Sequence, residues 1–386
     1  MRNKKRNRKK ADVMFSLVFV VILVVIMVLN LLAPNKEVSA DENRRLAGRP
    51  RFSADSLLSG EYMEKYEKYL SDQFGGREVL RNARVVLNRL GGSKEENGVL
   101  IGKNGQLMEK LVVPDQEVLG NNLDAIVDFA EKNQKMPVYM ILVPDAANVL
   151  NKDLPLLYTA ADQKRMIAQV KRELDSHVTW IDVESVLNKH TDDTIYYKTD
   201  KHWTSAGAYY VFQAAAELMD ISKGVSGKFA TYPITTTFNG DLAAKSGCEK
   251  HVKEVIEIYI PLEGDTDVIV NYVDEQRKST SLYDSSKLEG SNQYEVFLGG
   301  DSSVIDIKTV SESTRRLLVV KDSFANSFLP FLTPYFREIV VVDPQYYGGT
   351  IDEIMDTYRI TDTLILYSGN TFFQDNNISG VLNSEQ

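Results

Sequence analysis

The clearest capacity for chemistry lies between Tyr196 and Thr204, where an aspartate and a histidine stand two positions apart. In an extended segment or a tight turn, side chains i and i+2 share a side, so the Asp200 carboxylate can reach Nδ1–H of His202. That hydrogen bond would fix the tautomer of the histidine and leave Nε2 free to accept a proton. The spacing therefore indicates a general base together with the carboxylate that orients it.

Two other interpretations of this stretch stay open. Asp200 could instead cap a helix that starts near Thr204, with His202 merely packed beside Trp203. An Asp-x-His pair can also bind a metal ion, but the sequence has no second cluster of His or Asp at ligand spacing. We expect neither a metal nor a bound cofactor.

A general base of this kind needs a nucleophile, and Ser323 is the candidate. It follows the apolar run Leu317–Val320, which predicts a buried strand, and it precedes a segment rich in Phe that resembles a helix. A serine between a strand and a helix exposes its Oγ and lies beside backbone N–H groups that can bind an oxyanion. The alternative is an ordinary serine at a helix N-cap.

The elements that must position these residues alternate between strands and helices, which predicts an α/β domain of three layers (α/β/α) with a mainly parallel sheet. Active sites in such sheets lie at the carboxyl ends of strands. We expect Ser323 at one such end and Asp200 in the loops after another. The predicted strands are 138–143, 178–183, 255–260, 317–320, 339–342 and 364–367. The predicted helices are 61–90 with a break at 75–76, 116–134, 161–176 and 204–220, and a hairpin is predicted over 97–108 with its turn at 103–105.

The N-terminus predicts an exported protein. Residues 1–12 form a basic tail, and the apolar run 13–33 is long enough for a transmembrane anchor, with the basic side cytoplasmic and the remainder outside the cell. A cleaved signal peptide is the alternative, since Val38-Ser39-Ala40 resembles a cleavage site. Residues 34–60 are predicted as a stalk, and 61–386 as the extracellular domain, with an irregular insertion at about 228–300.

The charge distribution excludes nucleic acid as the main partner. The net charge is −9, and the first ten residues carry seven basic side chains and no acidic one, so the remainder of the chain carries −16. Binding to phosphates needs a basic face, which so acidic a body does not offer. The single cysteine, Cys248, can form no intramolecular disulfide, so the fold depends on its core.

Several blocks of the sequence resemble the bacterial DHHW family, which belongs with the SGNH-hydrolase-like proteins of polysaccharide O-acetylation, including the alginate acetylation proteins. The resemblance covers most of the chain after residue 40, and its two specific blocks are 197–204 and 321–327. The blocks are Asp41-Glu42-Asn43-Arg44-Arg45-Leu46-Ala47, Asp72-Gln73-Phe74 with Arg77, Ile101–Gly105, Tyr197-Lys198-Thr199-Asp200-Lys201-His202-Trp203-Thr204, Phe238–Leu242 and Lys321-Asp322-Ser323-Phe324-Ala325-Asn326-Ser327.

This resemblance implies an SGNH-like fold with permuted motif order, in which Ser323 is the nucleophile, His202 the base and Asp200 its orienter. The chain departs from the family motif at Lys201, where a first His is usual, and we expect little effect because that position should face away from the nucleophile. It also departs at Gln345, where relatives often carry Arg, which puts acyl or sugar binding there in doubt.

Candidates for binding the oxyanion or the substrate are the Ser323 N–H, Asn370 and Tyr346. The resemblance implies transfer of an acyl group, most simply acetyl, to hydroxyls of a cell-wall or secreted polysaccharide. It also implies a multi-pass membrane-bound O-acyltransferase as the partner that supplies the acetyl group. A carbohydrate acetylesterase with the same triad and a non-catalytic polysaccharide-binding protein of the envelope are the alternatives.

Overall fold

The computed structural model describes residues 2–39, 42, 44–221, 228–262 and 266–383. Ala40, Asp41 and Asn43, which belong to the possible cleavage site and to the first motif block, lie outside the described residues. The helices are α1 Arg2–Leu32, α2 Ala54–Leu58, α3 Glu61–Gln73, α4 Arg77–Leu90, α5 Gln116–Lys132, α6 Ala146–Val149, α7 Gln163–Leu174, α8 Val183–Asn188, α9 Ser205–Leu218, α10 Asp241–Ser246, α11 Ile351–Tyr358, α12 Gly369–Phe372 and α13 Ile378–Leu382.

The strands are β1 Val38–Ser39, β2 Arg44–Arg45, β3 Glu95–Glu96, β4 Val99–Ile101, β5 Leu107–Glu109, β6 Val138–Val143, β7 Thr179–Trp180, β8 Phe229–Phe238, β9 Glu254–Pro261, β10 Val268–Tyr272, β11 Arg277–Ser279, β12 Val304–Thr309, β13 Arg316–Lys321, β14 Glu338–Val342 and β15 Asp362–Ser368. Short 3₁₀ turns include Gln293–Val296 and Ser323–Ser327, both of which supply residues to the site.

The chain forms two compact units, Met1–Gly92 and Ser93–Gln386. The first begins with α1, within which most of the predicted anchor falls. In the part of the chain that the structure describes, no helix is both long enough and apolar enough to cross a membrane. The predicted break between two helices at Gly75-Gly76 is confirmed, because α3 ends at Gln73 and α4 begins at Arg77.

The first unit is fastened by an ion network that joins the first two motif blocks. Asp72 is buried and accepts hydrogen bonds from both terminal nitrogens of Arg44, at 2.6 and 2.9 Å, and from the backbone N–H of Ala47 at 2.9 Å. These bonds, the one from Arg44 foremost, hold the pKa of Asp72 below its ordinary value. Arg77 pairs with Glu42 in the same network.

The second unit is a mixed α/β fold around one sheet of eight strands in the order β11-β10-β12-β14-β13-β15-β6-β7. The five strands from β14 to β7 run parallel, whereas β11, β10 and β12 join antiparallel to their neighbours. The central sheet is therefore mixed, and the predicted parallel arrangement holds for one half of it.

Two hydrophobic cores lie on opposite faces of this sheet. In β6, Tyr139, Ile141 and Val143 face the core that includes α9, while Val138, Met140 and Leu142 face the core that includes α5 and α7. All six side chains are buried, which accounts for the continuous apolar run in the sequence. Helices cover both faces, as the alternation of strands and helices predicted.

Residues 228–300 differ from the irregular insertion that we expected. They contain β8 and β9, which form a two-stranded antiparallel sheet with register shifts, and β10 and β11, which extend the main sheet. In β8, half-buried and exposed positions follow no regular period, and β10 is only five residues long, so the hydrophobic signal of both strands is weak. That weakness explains why the sequence did not reveal them, although strand 255–260 was predicted within β9.

Candidate active site

Asp200 and His202 form the hydrogen bond that their spacing predicted. Oδ1 of Asp200 lies 2.5 Å from Nδ1 of His202 and also accepts the backbone N–H of His202 at 3.0 Å. Both side chains are buried. The two bonds to one oxygen fix the ring plane and place the proton on Nδ1, so Nε2 is the nitrogen left to accept another proton.

The local fold of this stretch decides between the interpretations that the sequence left open. Tyr196 pairs with Trp203 in an antiparallel bridge, and the N–H of Tyr197 donates to the carbonyl of His202 at 3.2 Å, which folds residues 196–203 into a tight loop. Thr204, and not Asp200, caps α9, since its Oγ1 accepts the N–H of Gly207 at 3.2 Å. The Asp200 carboxylate is therefore available to His202.

Ser323 lies two residues beyond Lys321, the last residue of β13, and opens a 3₁₀ turn at the carboxyl end of that strand, as expected. The cap of this turn is Asp322, whose Oδ1 accepts the N–H of Phe324 at 3.0 Å. The other oxygen of Asp322 accepts the N–H and the hydroxyl of Ser368, at 2.9 and 2.7 Å, at the end of β15. Ser323 therefore does not cap this turn, and its backbone is held between the ends of the neighbouring strands β13 and β15.

The fold brings Ser323 to His202 across 121 positions of sequence. Nε2 of His202 lies 2.8 Å from Oγ of Ser323, while Ser323 itself is only partly buried. The three predicted residues thus form one chain of hydrogen bonds from Asp200 through His202 to an accessible hydroxyl. Chemically, such a chain can move the serine proton onto an imidazole whose positive charge a carboxylate balances.

Two aromatic rings hold the imidazole of His202 in place. Tyr294 stacks on it with ring centroids 3.8 Å apart and planes 7° from parallel, and Phe324 packs at 5.0 Å. The hydroxyl of Tyr294 donates to Oγ of Ser327 at 3.2 Å, which fixes the tyrosine ring. Trp203, which follows His202 in the block 197–204, donates from its indole N–H to the carbonyl of Phe324 at 2.9 Å. The motif and the serine turn are therefore joined directly.

The carboxylate of Asp200 is ionised at neutral pH. Burial by itself raises the pKa of this group, but the charge of His202, the bond to its ring and the backbone N–H donors outweigh burial and lower the pKa to about 2. One of these donors is the N–H of Asp241, which lies 2.9 Å from Oδ2. A carboxylate in that state can stabilise an imidazolium on His202.

Gly240 leaves the space that Asp200 occupies. A methyl group at Gly240 would lie 2.3 Å from Cβ of Asp200 and 2.5 Å from its Oδ2, which is closer than packed atoms approach. The backbone N–H of Gly240 donates to Oγ1 of Thr199 at 2.9 Å. The block 238–242 thus contributes to the site through its backbone and through the missing side chain at Gly240.

A buried ion cluster is joined to the turn Ser323–Ser327. Nζ of Lys321 is fully buried and lies 2.9 Å from a carboxylate oxygen of each of Asp301 and Asp343. Burial alone would lower the pKa of Lys321, but the two carboxylates raise it above its ordinary value. Asn326 donates to Asp301 at 3.2 Å. The side chain before Asp322-Ser323 therefore anchors the turn and takes no part in proton transfer.

The residues predicted to bind an oxyanion or substrate occupy three different settings. Within the described part of the chain, the N–H of Ser323 has no hydrogen-bond acceptor, so it is available to a ligand. Asn370 is buried and binds the backbone of a neighbouring segment, donating to Lys110 O at 3.0 Å and accepting from Val112 N at 3.1 Å. Tyr346 is 54% exposed beyond β14.

A cavity of about 590 Å³ opens beside the block 197–204, and Lys201 lines it. Its wall is polar and consists mainly of lysines, carboxylates and side-chain amides: Lys110, Lys201, Lys245, Glu109, Asp375, Gln345, Asn370, Gln374, Asn376 and Asn377, with Gly98, Val112 and Thr371. Lys201 had been predicted to matter little. The wall of this cavity includes neither His202 nor Ser323, so the expectation that Lys201 faces away from the nucleophile stays a prediction.

Sequence reasoning missed Tyr294, the N–H of Asp241 and the cavity. Tyr294 lies in a region without a clear periodic pattern, and nothing in its neighbours marks it as a partner of His202. The block around Asp241 was noticed only as a resemblance.

Among the described residues, no group of three or more His, Cys, Asp or Glu side chains is placed to hold a metal ion.

Comparison with solved structures places this fold among known ones. A DHHW family protein from Eubacterium siraeum aligns with a TM-score of 0.65 and 25% identity over 75% of this chain and 98% of its own. PatB1 of Bacillus cereus, seen with a sulfonyl adduct, aligns with a TM-score of 0.59 and 19% identity over 72% of this chain and 98% of its own. The O-acetyltransferase domain of Pseudomonas putida AlgJ aligns at 0.47 and 15% identity over 73% and 95%.

Comparison with curated proteins found no match. The model of one protein family, described as DHHW protein, matches residues 130–342, which is more than half of the chain and includes Asp200, His202 and Ser323. The resemblance that the motif blocks indicated is thereby confirmed, and the chain belongs to the DHHW family.

Proposed function

We propose that this protein is an O-acyltransferase that moves an acyl group, most simply acetyl, onto hydroxyls of a cell-wall or secreted polysaccharide. The observation that carries the proposal is the chain of hydrogen bonds from Asp200 through His202 to the accessible hydroxyl of Ser323. It takes the fold as SGNH-hydrolase-like, with the Asp and His before the Ser in the sequence. Membership of the DHHW family supports it.

In the first half of the reaction, Oγ of Ser323 attacks the carbonyl carbon of the acyl donor while its proton passes to Nε2 of His202. The oxyanion that forms lies within reach of the N–H of Ser323, which has no other described partner. The intermediate then expels the donor's leaving group, which takes the proton from Nε2. Throughout, Nδ1–H stays on Asp200, which balances the charge of the imidazolium.

In the second half, a sugar hydroxyl attacks the acyl-serine and gives its proton to Nε2 of His202. Collapse of this intermediate returns that proton to Oγ of Ser323 and leaves the acyl group on the sugar. If water takes the place of the sugar, the same residues perform an esterase reaction. The polar cavity lined by Lys201 lies beside the motif and favours an acceptor rich in hydroxyl groups.

The proposal includes the location and partner that the sequence implied. The basic residues before the apolar run 13–33 favour a cytoplasmic N-terminus with the remainder of the chain outside. An acetyl donor inside the cell would then require a multi-pass membrane-bound O-acyltransferase to pass the group across. Protease added to intact cells should digest the region after residue 60; protection from protease would contradict this location.

The first test is a substitution of the nucleophile in the full-length protein. Ser323→Ala should abolish release of p-nitrophenol from p-nitrophenyl acetate, and the wild-type protein should gain one sulfonyl group from phenylmethylsulfonyl fluoride, on Ser323. Ser327→Ala is the matched control, because this buried serine lies on the same turn and does not contact Nε2 of His202. Equal rates in wild type and Ser323→Ala would refute the assignment.

A second test separates transferase, esterase and binding protein. With an oligosaccharide acceptor, a transferase should yield acetylated sugar by mass spectrometry, whereas release of acetate alone would favour the esterase. A non-catalytic envelope protein predicts that Ser323→Ala cells keep normal polymer acetylation while a deletion strain loses it.

A further inference from the structure

Helix α4 carries an apolar stripe that is open to solvent in the described part of the chain. The α4 stripe consists of five large side chains, each 56–80% exposed: Val79, Leu80, Val86, Leu87 and Leu90. Their spacings of three, four, seven and eleven positions put them on one side of the helix. Val85, on the opposite side, is buried. Apolar side chains that lie together at a surface mark an interaction site.

The α4 stripe begins where α1 ends. The N–H of Gly75, in the turn before α4, donates to the side-chain oxygen of Asn30 near the end of α1, at 2.6 Å. Ala33, just beyond α1, and Val79, the first residue of the stripe, line the same cavity of about 220 Å³. The first residues of the stripe therefore lie beside the end of the apolar run 13–33.

Three further hydrogen bonds tie the end of α3 to the segment that follows α1. Gln73 and Lys36 exchange two of them, at 2.8 and 2.9 Å. The hydroxyl of Tyr69 donates to the side-chain oxygen of Asn35 at 3.0 Å. Because these bonds lie at the junction of α3 and α4, they keep the start of α4 at the end of α1.

The apolar run identifies the surface that this end of α4 meets. The location proposed above puts residues 13–33 in the bilayer, and the inference rests on that location for this step. The large apolar side chains from Val13 to Val28 are exposed, so α1 also presents bare apolar surface. A helix that begins where a membrane span ends begins at the level of the lipid headgroups. An amphipathic helix at that level lies in the interface with its apolar side towards the acyl chains.

The charge of α4 favours lipid over a second copy of this chain as the occupant. The helix carries four arginines and one acidic residue: Arg77, Arg81, Arg84, Arg89 and Glu78. Even with Arg77 paired to Glu42, the basic residues of the helix outnumber the acidic one. Two copies packed stripe to stripe would bring these like charges together. Anionic lipid headgroups have the opposite charge and attract basic side chains beside an apolar face.

We propose that α4 is an interfacial helix, whose stripe inserts into the outer lipid layer beside the anchor while its arginines bind anionic headgroups. The chain is then held to the membrane by two elements, one that spans it and one that lies on its surface. None of the residues of the proposed reaction takes part in this contact.

The test places a fluorophore on the stripe of the full-length protein, in vesicles of phosphatidylcholine and phosphatidylglycerol. Leu87→Cys is labelled under native conditions, in which Cys248 stays unlabelled because it is buried. Lipids with brominated acyl chains quench a fluorophore that lies among those chains. We expect quenching at position 87, at a depth of about 5–10 Å below the headgroup boundary.

Glu78→Cys is the matched control, because positions 78 and 87 are nine residues apart and face opposite ways on a helix. Glu78 is exposed and lies nearer to α1, yet its label should stay in water and escape quenching. Equal quenching at the two positions, or none at 87, would overturn the inference. A label at 87 that is shielded from water but not quenched by lipid would show a protein partner, such as a second copy, and would overturn it as well.

Two changes test the parts of the contact separately. Leu80→Gln together with Leu90→Gln should bring the label at position 87 out of the acyl chains. Both side chains are exposed, so the fold should survive, and thermal unfolding verifies this. Replacing phosphatidylglycerol by phosphatidylcholine should reduce the quenching at 87; unchanged quenching would refute the role assigned to the arginines.

A label at Phe19→Cys, on the exposed surface of α1, reports on the anchor by itself. Quenching at position 19 without quenching at 87 would leave the proposed location standing and overturn the inference. Quenching at 87 without quenching at 19 would refute the membrane span and support surface binding by α4.

Discussion

Replacing Asp200 with asparagine tests the chain of hydrogen bonds from Asp200 through His202 to Ser323 with the least change in side-chain shape. The folded protein lowers the pKa of Asp200 from 3.8 to about 2. This lowering corresponds to about 2 kcal/mol in favour of the ionised carboxylate. The asparagine carries no charge and has one oxygen for three donors, namely the ring and backbone N–H groups of His202 and the N–H of Asp241.

We therefore expect Asp200→Asn to lower kcat for p-nitrophenyl acetate by on the order of 10- to 100-fold, because an interaction of about 2 kcal/mol with the imidazolium would be lost. Loss of the correct tautomer extends the range to about 10⁴-fold, the size seen for this change in other triads. KM should change little, because Asp200 contacts only protein groups. Steady-state rates at pH 7 measure both constants.

Asp241→Asn is the matched control, since Asp241 contacts Asp200 through its backbone N–H, which the substitution keeps. It should retain kcat within about threefold of the wild type. If Asp200→Asn lowered kcat no more than Asp241→Asn, the carboxylate would not orient the base, and the reasoning from its hydrogen bonds would be refuted. Because the folded pKa is lowered, ionised Asp200 also stabilises the fold above about pH 4, and this contribution is lost as the pH falls through 2.

Two further predictions concern Tyr294, which stacks on His202, and the buried carboxyl group of Asp145. Tyr294→Ala should lower kcat about two- to tenfold, because stacking on His202 is worth about 0.5–1.5 kcal/mol, whereas Tyr294→Phe should keep most of the activity; equal losses would show that stacking does not matter. Buried Asp145, held by Gln163 and Asn370, has its pKa raised to about 7, chiefly by burial. Its contribution to stability is full below about pH 4 and falls by about 4 kcal/mol as the pH rises through 7, so urea unfolding should show Asp145→Asn gaining on the wild type from pH 5 to 8. A constant difference would contradict the shift.

Local patterns were enough to predict much of the framework. The apolar run of β6 is buried on both faces, so it contains no polar position that would obscure it. The break between α3 and α4 follows from Gly75-Gly76, and Gly76 adopts a positive φ of 112°. The antiparallel strands β10 and β12 were not predicted, because β10 is only five residues long and the apolar run of β12 is interrupted by Asp306 and Lys308.

The sequence by itself determined that Asp200 and His202 can form a general base with its orienting carboxylate. It also determined that a serine able to react with this base should lie at the carboxyl end of a buried strand. The i, i+2 spacing of Asp200 and His202 allows their hydrogen bond independently of the remainder of the chain. A serine just after a buried strand is exposed at the carboxyl end of the sheet.

Only the tertiary structure decided that Ser323 meets Nε2 of His202, that Tyr294 stacks on the ring and that Lys201 enters a cavity. Two of these contacts join residues that are far apart in sequence, and the third depends on the direction in which the Lys201 side chain leaves its loop. They follow from the packing of the whole sheet and its helices, and no local pattern encodes them.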